Sequence, residues 1–239
     1  MNTRLFLKLS LILLPSMLMA NSLPIPSLES FFSYHPAPAG GGGGGGITLL
    51  THAKGTTSAV MDDTGATLLV AYVAYNTGPG TLSSSRGNTF TAISPEWGGG
   101  ASGSSTMYVC INPSNPGTGD TISTTSSGAP SMCIACFSGT FTAVDQKTGQ
   151  QVSGTSCQPG SITTTTANEV LLAGLNWYNA SPSGSVTVDS SFTITDQNAP
   201  GSVFGAVLAY RIVSSTLTVN PTFTTPQSGG SSCGQISVK

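Results

Sequence analysis

Charged side chains are scarce. Seven Lys and Arg and nine Asp and Glu serve a chain of 239 residues, against a usual charged share of about 25%. A net charge of −2 leaves no basic surface to hold a phosphate backbone, so nucleic acid is not expected as a partner. Ala, Leu, Glu, Lys and Arg at helical spacing are also too few for helix bundles or coiled coils. The two histidines, His35 and His52, cannot build a metal site between them. Phosphate-loop and dinucleotide signatures are missing, so neither a metal nor a cofactor is expected. What the chain does have is 30 Gly, 15 Pro and much Ser and Thr, set around compact runs of Val, Ile, Leu and Phe. Those apolar runs exclude charge-driven disorder. The mixture of Thr, Val, Ser and frequent turns reads as all-β.

Residues 1–20 place Arg4 and Lys8 ahead of an apolar run over 9–20. That run is too short to span a bilayer as a helix, which needs about 20 residues, and it has the layout of a secretion signal. Leu18 at the −3 position of a cut after Ala20 departs from the preference for a small residue. An uncleaved hydrophobic anchor is therefore the competing reading, and membrane contact is expected only transiently through 1–20. Residues 21–46 form a Pro- and Gly-rich linker containing an aromatic patch, Phe31, Phe32 and Tyr34, which reads as a docking arm. Seven consecutive glycines, 40–46, close it. They are either a flexible tether of at most roughly 23 Å, at ~3.3 Å per residue, or a segment packed beside equivalent chains.

The body, 47–239, contains two similar halves. Leu68-Leu69-Val70-Ala71-Tyr72 resembles Leu171-Leu172-Ala173-Gly174-Leu175, and Asn88-Thr89-Phe90-Thr91 resembles Ser191-Phe192-Thr193. Met107-Tyr108-Val109-Cys110-Ile111 resembles Ala209-Tyr210-Arg211-Ile212-Val213, and Met132-Cys133-Ile134 falls where Ser232-Cys233-Gly234 falls. The matches keep their order at an offset of about 100 residues. Strands are expected at 47–52, 58–61, 67–75, 90–93, 106–111, 120–124 and 131–137 in the first half. In the second they are expected at 169–178, 191–195, 203–213, 217–224 and 235–238. Many short strands between Gly and Pro turns point to a sandwich. The expected fold is a single two-sheet β-sandwich of jelly-roll type, with an internal duplication whose strands interleave in both sheets.

Leu68-Leu69-Val70, Ser85-Arg86-Gly87-Asn88-Thr89-Phe90 and Tyr108-Val109-Cys110-Ile111-Asn112-Pro113 form a series with Phe137-Ser138-Gly139. Gln158-Pro159-Gly160-Ser161-Ile162 and Glu169-Val170-Leu171-Leu172-Ala173-Gly174 form a second. This series resembles uncharacterised β-sandwich proteins of tailed phages, environmental viruses and some bacterial secreted proteins. The resemblance covers most of the body. It implies an extracellular or virion-surface sandwich and carries over no catalytic residue.

Five cysteines leave at least one unpaired. Cys133 and Cys136 form a C-x-x-C, but on a strand, where residues three apart face opposite sides. Buried thiols are the better reading for Cys110, Cys133 and Cys136. Cys157 and Cys233, in polar surroundings, are the expected disulfide. Gly230-Ser231-Ser232-Cys233-Gly234 matches G-x-S-x-G, yet no His follows and no helix is expected after it, so it is no nucleophile elbow. Asp62-Asp63-Thr64-Gly65 reads as a turn rather than a Ca²⁺ loop. Glycoside hydrolysis needs a carboxyl pair. Glu96, Glu169, Asp120, Asp145, Asp189 and Asp196 are available, but most sit in turns, where Asp bonds its own backbone. An enzyme is not expected.

Tyr75, Trp97, Trp177 and Tyr178 lie at strand ends or in loops and are the candidate contacts for a ligand or partner. The expected role is a structural or decorating subunit of a virion or extracellular assembly, contacting copies of itself or other subunits. The alternative is a secreted adhesive module that binds cell-surface glycans.

Overall fold

The computed structural model describes residues 46–93, 97–98, 103–178, 184–200 and 204–239. The leader, most of the linker and the expected docking arm Phe31, Phe32 and Tyr34 lie outside the described residues. The described chain is built of strands. In the first half these are β1 (Thr48–Gly55), β2 (Ser58–Met61), β3 (Leu68–Tyr75), β4 (Leu82–Ser84), β5 (Thr91–Ala92), β6 (Trp97–Gly98), β7 (Ser104–Ile111), β8 (Asp120–Thr124) and β9 (Ser131–Ser138). In the second they are β10 (Val144–Cys157), β11 (Ile162–Thr163), β12 (Glu169–Tyr178), β13 (Thr187–Val188), β14 (Thr193–Asn198), β15 (Phe204–Val213), β16 (Thr218–Val219) and β17 (Phe223–Val238).

β3 shows why the sheets stack. Its sequence, LLVAYVAY, is apolar at every position, and every residue is buried. A strand with one solvated face would alternate with polar residues, so β3 must be covered on both sides. Leu68, Val70, Tyr72 and Ala74 enter one core, and Leu69, Ala71, Val73 and Tyr75 enter another. β12 repeats the pattern, with Val170 and Leu172 on one side and Leu171, Ala173, Leu175 and Trp177 on the other.

The main sheets are antiparallel. One has the order β1-β9-β3-β7-β5, with β6 pairing β7. The other has the order β10-β17-β12-β15-β14, with β13 pairing β17. Their inner faces share one core, in which Val70, Phe137 and Met107 meet Leu172, Leu208 and Ile236. The outer face of the first is covered by β2-β8-β4 through Met61, Leu82 and Ile122. The outer face of the second is covered by β11-β16 through Ile162 and Val219, which share a core with Phe223 of β17. The result is an all-β stack of antiparallel sheets packed face to face.

Two expectations are corrected. The body is not one pair of sheets, and the halves do not interleave. Strands from 48–138 stay in one set of sheets and strands from 144–238 in the other. The marginal core of a single half is made up by the apolar layer shared between them. At one edge the two main sheets are clamped by side chains. His52 Nδ1 meets Asp196 Oδ2 at 2.8 Å, Lys54 Nζ donates to the Gln197 carbonyl at 3.0 Å, and Asn198 Nδ2 donates to the Gly55 carbonyl at 2.5 Å.

Candidate functional site

Three of the four candidate aromatic contacts are buried. Trp97 was expected in a flexible loop. It instead forms β6 against Ser105 of β7 and is 2% exposed. Its ring lies over Gly149 and Gly234, where any Cβ would collide with it, and stacks on Tyr72 with centroids 6.5 Å apart. Trp177 is 1% exposed and rests on Gly205. Tyr75 is fully buried, its hydroxyl 2.7 Å from Thr106 Oγ1. Only Tyr178 is half-buried, tilted against Phe204. As external binding residues Tyr75, Trp97 and Trp177 are thus corrected. Glycine at the facing positions opened the slots that took the Trp97 and Trp177 rings inside.

Beside Trp97 a polar seam crosses the central core. Tyr72 Oη donates to Ser105 Oγ at 2.6 Å and also reaches the Ser232 carbonyl at 3.1 Å. Ser105 Oγ and Ser232 Oγ lie 2.9 Å apart. Asn176 Nδ2 donates to the Ser104 carbonyl at 3.1 Å, while its Oδ1 has no partner. Burial pushes the Tyr72 phenol well above its usual range, so it remains a donor. Ser232 belongs to the G-x-S-x-G match. That segment is an extended part of β17, not a loop and not an elbow.

The acidic candidates are dispersed. Asp120, at the start of β8, is buried among donors: Ser84 Oγ at 2.7 Å, Ser85 Oγ at 3.0 Å and Asn88 Nδ2 at 3.3 Å. Asp63 is buried nearby, with Oδ1 accepting the Gly117 N–H at 2.5 Å and Oδ2 unpartnered. Burial, with Asp120 adding repulsion, raises its carboxyl above the usual range despite the Gly117 bond. Asp62 holds the turn by accepting from the Thr64 N–H at 3.1 Å. Asp189 accepts from the Thr222 N–H at 2.6 Å, which lowers its pKa. Asp196 is occupied by His52. Glu96 lies outside the described residues.

Asp145 and Glu169 share a corner where β10, β12 and the end of β17 meet. Asp145 receives Lys239 Nζ at 2.5 Å, the Thr165 N–H at 2.9 Å and Thr165 Oγ1 at 2.7 Å. Burial opposes its charge, but Lys239 and Thr165 outweigh burial and hold the carboxyl at about 2. Glu169 Oε1 accepts from Thr166 N and Oγ1, both at 2.9 Å, and Oε2 is buried without a partner. Sequence reasoning missed this corner. Lys239 lies 94 positions from Asp145, and only strand pairing brings the two together.

Cys157 and Cys233 form a disulfide, with Cα atoms 6.2 Å apart. The environment differs from the polar one expected, since both sulfurs sit in the core between the second main sheet and its cover. Cys110, Cys133 and Cys136 are buried free thiols. Burial pushes Cys110 up to about 11 and Cys136 up to about 12, and raises Cys133 well above its ordinary value. Cys133 and Cys136 enter different cores, so the C-x-x-C does not converge. Among the described residues no group of three His, Cys, Asp or Glu is placed to hold a metal ion. The chain matches no protein-family model, and comparisons with curated proteins and with solved structures find no match.

Proposed function

We propose that this chain is a non-enzymatic structural or decorating subunit of a virion or extracellular assembly. On this reading the β body is displayed outward, and residues 1–46 serve as leader or anchor, tether and docking arm. The body is a tandem of two jelly-roll-like units derived by duplication. In each half the first strand lies at one edge, the last strand beside it, and the third strand beside that. The orders β1-β9-β3-β7-β5 and β10-β17-β12-β15-β14 support that reading, because they are the same order counted along each half once β6 is set aside.

The observation that carries the structural role is the fate of the large aromatic side chains. A glycan-binding module would hold several of them at its surface as stacking platforms. Here Tyr75, Trp97 and Trp177 are spent on packing between sheets. The outside carries hydroxyls instead, such as the Thr163–Thr218 pair at 2.8 Å and the Thr77–Ser127 pair at 3.0 Å. The partners are copies of this chain or other subunits, and the setting is a virion or cell exterior.

Native mass spectrometry of material isolated from its source, with N-terminal mapping and a glycan array, tests the reading. An oligomer or larger particle without glycan binding supports it. A monomer that binds sugar through Tyr178 or an unburied loop overturns it in favour of the adhesive module.

A further inference from the structure

The surface of the body offers little apolar area to a neighbour. Among the described residues Val60, 52% exposed, is the one large hydrophobic side chain that stands open. A neighbouring subunit must therefore be held by polar groups or by backbone. We propose that the outer edge of β10 pairs with β10 of a second copy, antiparallel and about a two-fold axis, so that two sheets become one. This deepens the assembly reading and rests on it.

The main sheets end in four edges, and three of them are unsuited. β5 and β6 have two residues each. β1 and β14 are each broken by a bulge, between Leu49 and Thr51 and between Ile194 and Asp196. These two edges also lie together, tied by His52 to Asp196, Lys54 to Gln197 and Asn198 to Gly55. β10 differs from all of these. It is fourteen residues long and ends its sheet, with β17 on one side. Its bulges fall at its two ends, at Val144/Gln146 and Gly154/Ser156. Between them Gln146–Gly154 keeps an unbroken register against β17, and no residue of that run is buried. Lys147 and Gln151 hold further interactions within the chain. Among the described residues, none of the other seven bonds its backbone to anything but β17.

A strand with one partner turns every second pair of N–H and C=O groups outward, ready to accept another strand. Proteins that stay monomeric blunt such an edge with charges, a proline or a bulge within the run. The run QKTGQQVSG carries one charge, Lys147, and no proline. It is also complementary to itself. A two-fold axis at Gln150, the midpoint of the regular run, sets Gln146 opposite Gly154 and Lys147 opposite Ser153. Thr148 then faces Val152, and Gly149 faces Gln151. No like charges meet, and the two regular runs match end to end, stopping at the bulges of both copies. One strand thus supplies both sides of the match in length and in charge, which makes a second copy the occupant. A contact of this kind closes at two subunits.

Cross-linking and mass measurement on the purified full chain test this. The wild type should run as a dimer in gel filtration with light scattering. Gln150→Cys faces itself across the axis, where directly opposed Cβ atoms lie about 4.5–5.5 Å apart. It should give a disulfide-linked dimer on a non-reducing gel. Ser153→Cys alone should stay unlinked, and should link when mixed with Lys147→Cys, so the register is read twice. The native free thiols are buried and do not compete. Gln150→Asp opposes two carboxylates and should weaken the dimer about fivefold, as a directly opposed like-charge pair does, with an unchanged circular dichroism spectrum. A monomeric wild type whose cysteine variants stay unlinked overturns the proposal and leaves the assembly reading to contacts with other subunits. An oligomer that ignores Gln150→Asp and stays unlinked through position 150 also overturns it, and moves the contact elsewhere on the body. The assembly reading itself falls only to a monomer that binds sugar.

Discussion

Tyr72 faces Gly174 across the central core, as Trp97 faces Gly149 and Gly234, and a Cβ at Gly174 would come within 2.1 Å of the Tyr72 ring. Gly174→Ala should therefore destabilise the fold by about 1–3 kcal/mol, the usual cost of overpacking a filled core; urea denaturation measures it. Asp63 gives a prediction with a sign. Its folded pKa is raised, chiefly by burial, so native protein holds its proton more tightly than unfolded chain. Stability from this group is full below the unfolded value and falls as pH rises through the folded one. The stability of Asp63→Asn relative to wild type should therefore increase from about pH 4 upward, as read from melting temperatures across pH. The three free thiols, all buried with raised pKa, should resist a thiol reagent at pH 8 and react once the chain is unfolded. A native preparation that titrates promptly would contradict their burial. At this scale the sequence misled most at Trp97. Its loop is rich in glycine and reads as exposed, and the glycines that seat its ring, Gly149 and Gly234, lie far along the chain.

Most strands were legible because their apolar positions alternate or run unbroken, as in β3, β7, β9, β12 and β15. β10 was not expected at all. Its fourteen residues, VDQKTGQQVSGTSC, include little that is apolar, and its strand character comes from pairing with β17 along one edge. β17 was read as two pieces because Pro226 and the glycines near 230 look like turns. It is one long strand whose first residues pair with β10 on one side and β13 on the other, within the same sheet. The Cys157–Cys233 disulfide ties the last residue of β10 to β17 with a sequence separation of 76. Closing a loop of that size removes denatured-state entropy worth about 4 kcal/mol in the simplest account. Replacing both cysteines by serine should lower the unfolding free energy by a few kcal/mol or less, measured against wild type under oxidising conditions. No loss at all would mean that the bond constrains nothing.

Across the whole molecule the halves depend on each other. The inner face of the first main sheet presents Leu68, Val70, Tyr72, Met107 and Phe137, and each is covered by the second half. A fragment ending near residue 140 should aggregate or bind a hydrophobic dye, whereas the intact body should unfold in one transition. Separate soluble halves would refute this mutual cover. The shared core also explains why the arrangement of sheets was not readable beforehand. Alternation tells that a face is buried, but not which neighbour buries it. One further consequence lies in the crossing between halves. Gly139 packs beside Ile47, and Thr142 and Ala143 bond to Lys239, so the chain enters the body, passes from half to half and leaves it at a single pole. A permuted gene that joins Lys239 to Ile47 through a short spacer, and opens new termini in the turn near Gly119, should yield the same body with its attachment points moved elsewhere.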